Sequence, residues 1–318
     1  MTDYRKLSSV GRRRIVVEDH RKVEVLVLGS SGQVGKKIVA ILENAPGISL
    51  RITSRRPEEV EAMKSLGKNA VHLDLDKPET FGTALAGVDR LFLLTGYTVA
   101  MLTQSKTLID AASKTGVEHI VHLGVFAEWD TTDPHFTWHQ LVESYIKSSG
   151  IAWTNVHPNM FMENLSLMFD PKRDAVTTFW REHRMGWIAA ADIAAVAASV
   201  LQAGPAKHHG KDYWLSAEVA AGPDLAAIFS EVLGREISYD LRGPDEFKEV
   251  FTSGAIAVES WYADGGVEFM RQVVDGRMGY IGSIQDDVPH VTGRAALTLK
   301  EWISEHREQL APAVARSE

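Results

Sequence analysis

Two rhythms of apolar and polar residues alternate along the first half of this chain. Short β-branched runs closed by glycine, proline or aspartate read as buried strands, and longer stretches with apolar positions three or four apart read as amphipathic helices. The pattern predicts strands at 23–28, 48–53, 70–73, 90–94, 119–123 and 152–156, with helices at about 33–43, 58–66, 78–86, 100–114 and 138–149 between them. Strands that alternate with helices pair in parallel, because each crossover helix returns the chain to the same end of the sheet. The expected fold class is α/β, a doubly wound parallel sheet whose ligands bind at the carboxyl ends of the strands. After residue 157 the rhythm breaks. A helix at 190–201 and a strand at about 212–215 are expected to return to the sheet, whereas 160–187 and 223–300 read as mainly helical with aromatic and glycine interruptions. The organisation expected is a nucleotide-binding domain at 23–157 and a mixed region at 158–318. Part of that region, about 188–216, rejoins the sheet, and the rest forms a smaller, mainly helical substrate lobe interleaved over the crevice. Residues 1–22 stand apart as a basic arm, with Arg5, Lys6, Arg12, Arg13, Arg14, Arg21 and Lys22 against Asp3, Glu18 and Asp19.

The first strand carries the strongest signal for chemistry. Val23-Glu24-Val25-Leu26-Val27-Leu28 runs into Gly29-Ser30-Ser31-Gly32-Gln33-Val34-Gly35 and then a helix. Glycines in such a turn allow a tight reversal, a close approach of backbone to ligand, and close packing of helix on strand. The unpaired N–H groups that open the helix attract a phosphate. Gly29, Ser31, Gly32, Gln33 and Val34 are accordingly expected to hold a pyrophosphate. The second strand ends in Thr53-Ser54-Arg55-Arg56-Pro57, where an NAD site places a carboxylate for the ribose 2′-hydroxyl. Two arginines stand there instead, and a guanidinium binds phosphate through paired N–H bonds. Arg55, with Arg56 beside it, reads as a 2′-phosphate site, and the expected cofactor is NADP(H). Asp74 and Leu75, after the third strand, are placed to meet the adenine, although Asp74 suits a helix cap equally well.

Composition narrows the partners. The chain has 318 residues, 45% hydrophobic and 24% charged, and a net charge of -8. That fits a globular fold and disfavours non-specific nucleic-acid binding. Cysteine is absent, which excludes disulfides and thiolate chemistry. No apolar run suits a membrane span, since the most tempting, 188–203, is interrupted by Asp192. The N-terminus lacks the apolar core of a secretory signal. The expectation is a cytoplasmic protein that acts on a small-molecule substrate, without nucleic-acid or membrane partners. Assembly into a homo-oligomer is left open.

The chain resembles the atypical short-chain dehydrogenase/reductases of the NmrA-like group. The resemblance rests on Gly29-x-x-Gly32-x-x-Gly35, on the Arg55-Arg56-Pro57 strand end, and on Val117-Glu118-His119-Ile120-Val121. It continues through Ser149-Gly150-Ile151-Ala152-Trp153-Thr154, Pro158-Asn159-Met160-Phe161-Met162-Glu163-Asn164, the stretch from Gly186 to Ala194, and Val291-Thr292-Gly293-Arg294. About 22–308 is covered. The resemblance implies a Rossmann fold and NADPH-dependent reduction of a quinone, enone, imine or dye. The same group contains redox sensors that bind the nucleotide without turnover, so a regulator that docks a protein partner stands as the alternative. By resemblance, Thr95, Gly96 and Tyr97 line the nicotinamide side, and Pro158, Asn159 and Phe161 close over it.

Hydride chemistry belongs to the cofactor, so the protein must hold the acceptor and stabilise or protonate the anion that develops. The Tyr-x-x-x-Lys pair of conventional short-chain dehydrogenases is absent, since none of the seven tyrosines has a lysine four residues on. The serine usual after the fifth strand is missing too, for Leu123 is followed by Gly124 and Val125. A helix capped by Asp133 and begun by Pro134 offers a substitute. Trp138, Leu141, Val142, Tyr145 and Ile146 form its apolar stripe, read as core, and His139 lies beside that stripe. In the group's phenylpropanoid reductases a lysine thought to act as general base falls at the place of His139. By that resemblance His139 is the catalytic candidate, able to deliver a proton near neutral pH; shaping the pocket is its other reading. Tyr97 is the second candidate. His135 and His139 are four apart, but with no third ligand in sight no metal is expected. Trp180, Trp187 and Trp261 are candidates to line an aromatic pocket.

Overall fold

A computed structural model describes residues 21–252 and 258–310. The basic arm lies outside the described residues except for Arg21, which pairs with Asp89, and Lys22. The first half follows the apolar rhythm through β1 Val23–Val27, α1 Gly35–Leu42, β2 Ile48–Ser54, α2 Pro57–Ser65, β3 Ala70–His72 and α3 Phe81–Leu85. It continues with β4 Arg90–Leu93, α4 Met101–Thr115, β5 His119–Leu123, α5 Pro134–Ser148 and β6 Ala152–Pro158. The caps explain the boundaries. Asp133 accepts a hydrogen bond from the Phe136 N–H at 3.0 Å and Pro134 fills the first position of α5. Gly116, at φ +82°, ends α4 in the left-handed conformation that glycine tolerates.

The second half holds β7 Met160–Phe161, α6 Leu165–Met168, β8 Phe169–Asp170, β9 Ala175–Thr178, β10 Met185–Ile188, α7 Ala190–Ala203 and α8 Pro205–His208. Then come β11 Lys211–Leu215, β12 Glu218–Ala220, α9 Gly222–Leu233, β13 Ser238–Leu241 and α10 Lys248–Thr252. The chain closes with α11 Ser260–Val274, α12 Asp287–Thr292, α13 Leu299–Glu305 and α14 Arg307–Leu310.

Seven strands form one parallel sheet in the order β11-β6-β5-β4-β1-β2-β3. The order reverses beside β1, so the crevice between the carboxyl ends of β1 and β4 is the topological switch point. Both faces of β1 are covered. Val25 and Val27 belong to one buried cluster with Ile38 of α1 and Ile193 and Val196 of α7, while Leu26 belongs to another with Leu108 of α4 and Val142 and Ile146 of α5. That alternation is the period of two of a strand buried on both sides. Among the described residues no helix is long and apolar enough to cross a membrane.

The stretch 160–187 departs from its helical expectation, for it carries four short strands, β7, β8, β9 and β10. They build two three-stranded sheets, β12-β10-β7 and β13-β9-β8. Ala175-Val176-Thr177-Thr178 and Met185-Gly186-Trp187-Ile188 are β-branched or aromatic runs, which suit a pleated, half-buried surface. Asp174 at φ 47° and Arg181 at φ 53° turn the chain where a helix would have to continue. Trp180 and Trp187 do not line either cleft at the carboxyl edge of the sheet. Both are fully buried beside Phe229, Leu225 and Met270 in the core of this half.

Candidate cofactor cleft and active site

The carboxyl ends of β1 to β4 border a cleft of about 410 Å³, lined by Gly29, Ser31, Arg55, Arg56, Asp74, Leu75, Thr95 and Gly96. Two glycines shape the turn beside it. Gly29 sits at φ +68°, and a Cβ there would lie 2.4 Å from Leu94 Cδ2. A Cβ on Gly35 would lie 2.1 Å from the Gly29 carbonyl oxygen, which as backbone cannot move aside. Within the loop the Gly32 N–H donates to the Gly29 carbonyl at 2.9 Å and the Lys36 N–H to the Gly32 carbonyl at 3.0 Å. The amides of Ser31, Gln33 and Val34 have no protein acceptor among the described residues. They are therefore available to an anion at the start of α1. The Val34 side chain is buried in the sheet core, and Gln33 faces the neighbouring cleft.

The two arginines differ. Arg56 pairs with Glu59, whose other carboxylate oxygen accepts from Ser54 Oγ at 2.6 Å. The Arg55 guanidinium has no carboxylate partner among the described residues, although it faces the same cleft. Asp74 caps a turn rather than a helix and borders the cleft. Its Oδ1 accepts from the Asp76 N–H at 3.1 Å, capping the turn, and its Oδ2 lies 3.5 Å from Lys77 Nζ while the residue lines the cleft. Thr98 and Gln104, which the sequence reading missed, line it as well. Gln104 Nε2 donates to Asp76 Oδ1 at 2.7 Å, which orients the amide. Its Oε1, with Thr95 Oγ1 and Thr98 Oγ1, is buried without a partner among the described residues.

A second cleft of about 350 Å³ opens beyond Gly96. Its wall is apolar, with Phe126, Phe136, Phe161, Phe269, Met160 and Met270 prominent, and Pro158 and Asn159 contribute to it. Asn159 is committed to bracing that wall. Its Nδ2 donates to the Ile281 carbonyl at 2.8 Å and to Ser216 Oγ at 3.3 Å, and its Oδ1 accepts from the Met160 N–H at 2.9 Å. Tyr97 and His135 supply polar edges. Their rings meet edge-on at 4.8 Å, and Tyr262 packs 4.9 Å from each. Tyr97 keeps 42% of its surface exposed, and burial pushes its phenol up to about 12. Trp261 packs tilted against Trp138, ring centres 4.3 Å apart, and is not part of the lining.

His139 does not reach either cleft. It is 1% exposed, with its ring 5.4 Å from His135, 5.6 Å from His122 and 6.1 Å from Tyr97. The stripe expected on α5 also needs correction. Leu141 is 50% exposed, and the buried face carries Phe136, His139, Gln140, Val142, Glu143 and Ile146. Polar residues can sit on that face because β5 and β6 bring polar groups beneath it. His157 donates from Nε2 to Asp212 Oδ1 at 3.1 Å and from Nδ1 to the Val125 carbonyl at 2.9 Å, with Glu143 Oε1 3.6 Å from that nitrogen. Burial opposes charge on His157, but the Asp212 hydrogen bond and the carboxylates of Glu143 and Asp212 raise its pKa overall. The ligand atoms of Glu143, His157 and Asp212 lie within 4.8 Å of one another, with the two His157 nitrogens hydrogen-bonded to Asp212 and to the Val125 carbonyl. Burial pushes His122 and His135 down to about 3, and His139 well below its ordinary value, so all three rings are neutral.

The same cluster explains the missing serine. A Cβ on Gly124 would lie 2.6 Å from Glu143 Oε1 and 3.3 Å from His157 Nδ1. The place where a side chain would start is occupied by a carboxylate. Both ring nitrogens of His122 and of His139, and His135 Nε2, are buried without a partner among the described residues. Each such atom costs about 1–3 kcal/mol, so their gathering at one place is expensive.

The sequence profile of the NmrA-like family matches residues 21–265. The chain belongs to that family. An NAD(P)H azoreductase from Xenophilus azovorans is 29% identical over 286 residues, which cover 89% of this chain and 97% of that protein. A (4-alkanoyl-5-oxo-2,5-dihydrofuran-3-yl)methyl phosphate reductase from Streptomyces griseus is 29% identical over 294 residues, 91% of this chain and 99% of its own length. The crystal structure of an NADPH-dependent quinone oxidoreductase from Escherichia coli, complexed with NADPH, superposes with a TM-score of 0.76 at 21% identity, covering 89% of this chain and 99% of that one. That likeness establishes the family's fold in this chain. An NADP(H) molecule fits what the first cleft offers. Free amides at the start of α1, an unpartnered guanidinium at the end of β2, and orphaned Thr95, Thr98 and Gln104 oxygens match a pyrophosphate, a phosphorylated ribose and hydroxyl donors respectively.

Proposed function

We propose that this protein is an NADPH-dependent reductase of a planar, conjugated acceptor of the quinone or dye kind. Its coarser identity is an NAD(P)H-dependent oxidoreductase of the NmrA-like family acting on a small molecule. The observation that carries the finer reading is the second cleft, a Phe- and Met-lined slot whose lining includes Gln33 and Tyr97, each adjacent in sequence to residues at the nucleotide cleft. Bound NADPH supplies the hydride. In this reading Ser31, Gln33 and Val34 amides hold the pyrophosphate, Arg55 holds the 2′-phosphate, and the slot sandwiches a flat acceptor and excludes water. Tyr97 and His135 present an O–H and an N–H to the acceptor's heteroatom, which would stabilise its developing negative charge. His139 acts behind His135 rather than on the acceptor. The reading keeps the chain in the cytoplasm. A sensor without turnover needs a docking face and has no use for an apolar slot, which favours the enzyme.

The test follows NADPH oxidation by the purified protein against quinones, enones, imines and azo or triphenylmethane dyes, with Tyr97→Phe and His135→Gln alongside. Turnover with at least one planar class is expected. A general acid contributes roughly 100-fold or more, so loss of that order in one of the two variants, with NADPH binding intact, is the expected signature. Tight NADPH binding with no turnover of any acceptor would overturn the reading.

A further inference from the structure

A line of buried titratable side chains runs from the acceptor slot to the surface at the β6–β11 edge, and hydride transfer alone gives it nothing to do. At the outer end the side chains of Asp212 and Lys147 are 32% and 30% exposed, with Asp212 Oδ2 3.6 Å from Lys147 Nζ. Inward, His157 Nε2 meets Asp212 Oδ1 at 3.1 Å and His157 Nδ1 lies 3.6 Å from Glu143 Oε1. Glu143 Oε1 lies 3.9 Å from His122 Nδ1. His122 and His139 are 5.6 Å apart between ring centres, His139 and His135 5.4 Å, and His135 lines the slot. The side chains of His157, Glu143 and His122 are 4%, 5% and 0% exposed.

We propose that Asp212, His157, Glu143, His122 and His139 form a proton relay that resupplies His135 from the protein surface, a role that rests on the reductase reading. A neutral imidazole carries one N–H and one lone pair, so it can accept a proton on one nitrogen while releasing one from the other. The five unpartnered nitrogens of His122, His139 and His135 are the atoms such a chain would use. Ring centres less than 6 Å apart allow nitrogens to be joined by ring rotation or a single bridging water. Glu143 is the pivot. Among the described residues only its carboxylate faces both His157 and His122, and Gly124 is the residue that leaves it room. The charged or titratable groups that face the chain are Lys147 and Asp212 around Glu143, His157 and Lys147 around His122, and His135, His122 and His157 around His139. The balance closes as acceptor plus NADPH plus one proton giving reduced acceptor and NADP⁺. The hydride comes from the dihydronicotinamide, and His135 gives its N–H proton to the reduced acceptor while taking one on its other nitrogen from His139. Glu143 resupplies His139 through His122, and His157, protonated on both nitrogens, gives its Nδ1 proton to Glu143 before it is reprotonated from solvent beside Asp212.

Glu143→Gln removes the proton-carrying carboxylate with little change of shape. Two readouts decide the proposal. In the protein without cofactor, ring ¹⁵N NMR should find His122 and His139 neutral with averaged nitrogen shifts, because both tautomers are sampled, and a single fixed tautomer in Glu143→Gln. In turnover, Glu143→Gln should lower kcat roughly tenfold or more and enlarge the D₂O effect on kcat, with KM for NADPH and the thermal midpoint unchanged. His139→Gln, which keeps a hydrogen-bonding side chain but no imidazole, should repeat the kinetic result. Fixed tautomers of His122 and His139 in the wild type would overturn the relay, as would an unchanged kcat and D₂O effect in Glu143→Gln. A wild type that reduces nothing would sink the reductase reading instead, and the NMR readout would still decide whether the chain exchanges protons.

Discussion

Arg55→Ala separates recognition of the 2′-phosphate from everything else the nucleotide cleft does. A hydrogen bond to a charged group contributes about 1.5–3 kcal/mol, and about 1.4 kcal/mol corresponds to a tenfold change in Kd. The Kd for NADPH should therefore rise about 10- to 150-fold, while that for NADH, which lacks the phosphate, stays as it was. Arg56→Ala should cost less. Its guanidinium already pairs with Glu59, so the charge it can offer a phosphate is partly spent. Both residues are exposed, and salt screens exposed charges over about 10 Å at 0.1 M, so the loss in Arg55→Ala should shrink as ionic strength rises. Fluorescence titrations of the wild type and both variants with each cofactor, at low and high salt, measure all of this. An equal loss for NADPH and NADH, or a larger loss in Arg56→Ala than in Arg55→Ala, would refute the assignment.

Two further predictions concern the buried polar cluster and the cap of α5. Gly124→Ala places a Cβ 2.6 Å from Glu143 Oε1, and overpacking of this kind costs about 1–3 kcal/mol. Thermal unfolding should show a lower midpoint, largely recovered by adding Glu143→Ala, and strictly additive effects would contradict the clash. For Asp133, burial raises the carboxyl to about 6, with the Phe136 N–H opposing the shift. The folded state thus holds that proton more tightly than the unfolded chain does from 3.8 upward. The stabilisation is complete below about pH 4 and is lost as pH rises through about 6, a cost on the order of 3 kcal/mol. Asp133→Asn keeps an oxygen for the Phe136 N–H and removes the charge. It should raise the midpoint at pH 7 and leave it nearly unchanged at pH 4, and the same change at both pH values would count against the argument.

Local signals carried what could be read from the chain alone. The β1 run, the glycine turn and the start of α1 are contiguous, and each has a steric or hydrogen-bonding reason of its own. The arginines at the end of β2 are legible because strand ends in a doubly wound sheet face the ligand, and the Asp133-Pro134 start of α5 because caps act within one turn. Where a side chain lies relative to other elements is another matter. Periodicity put Leu141 in the core and left His139 at its margin, but the strands beneath α5 bring His122, His157 and, through β11, Asp212, so the buried face is the one that can pair polar groups. Trp180 and Trp187 looked like pocket residues until the short strands of the second half enclosed them. The absent serine was visible in Leu123-Gly124-Val125, and the carboxylate that occupies its place was not, because Glu143 approaches from a different helix. Most buried polar groups find partners, and the groups that face α5 come from segments distant in sequence, so only the assembled tertiary structure decides which residues are inside and which of them are paired.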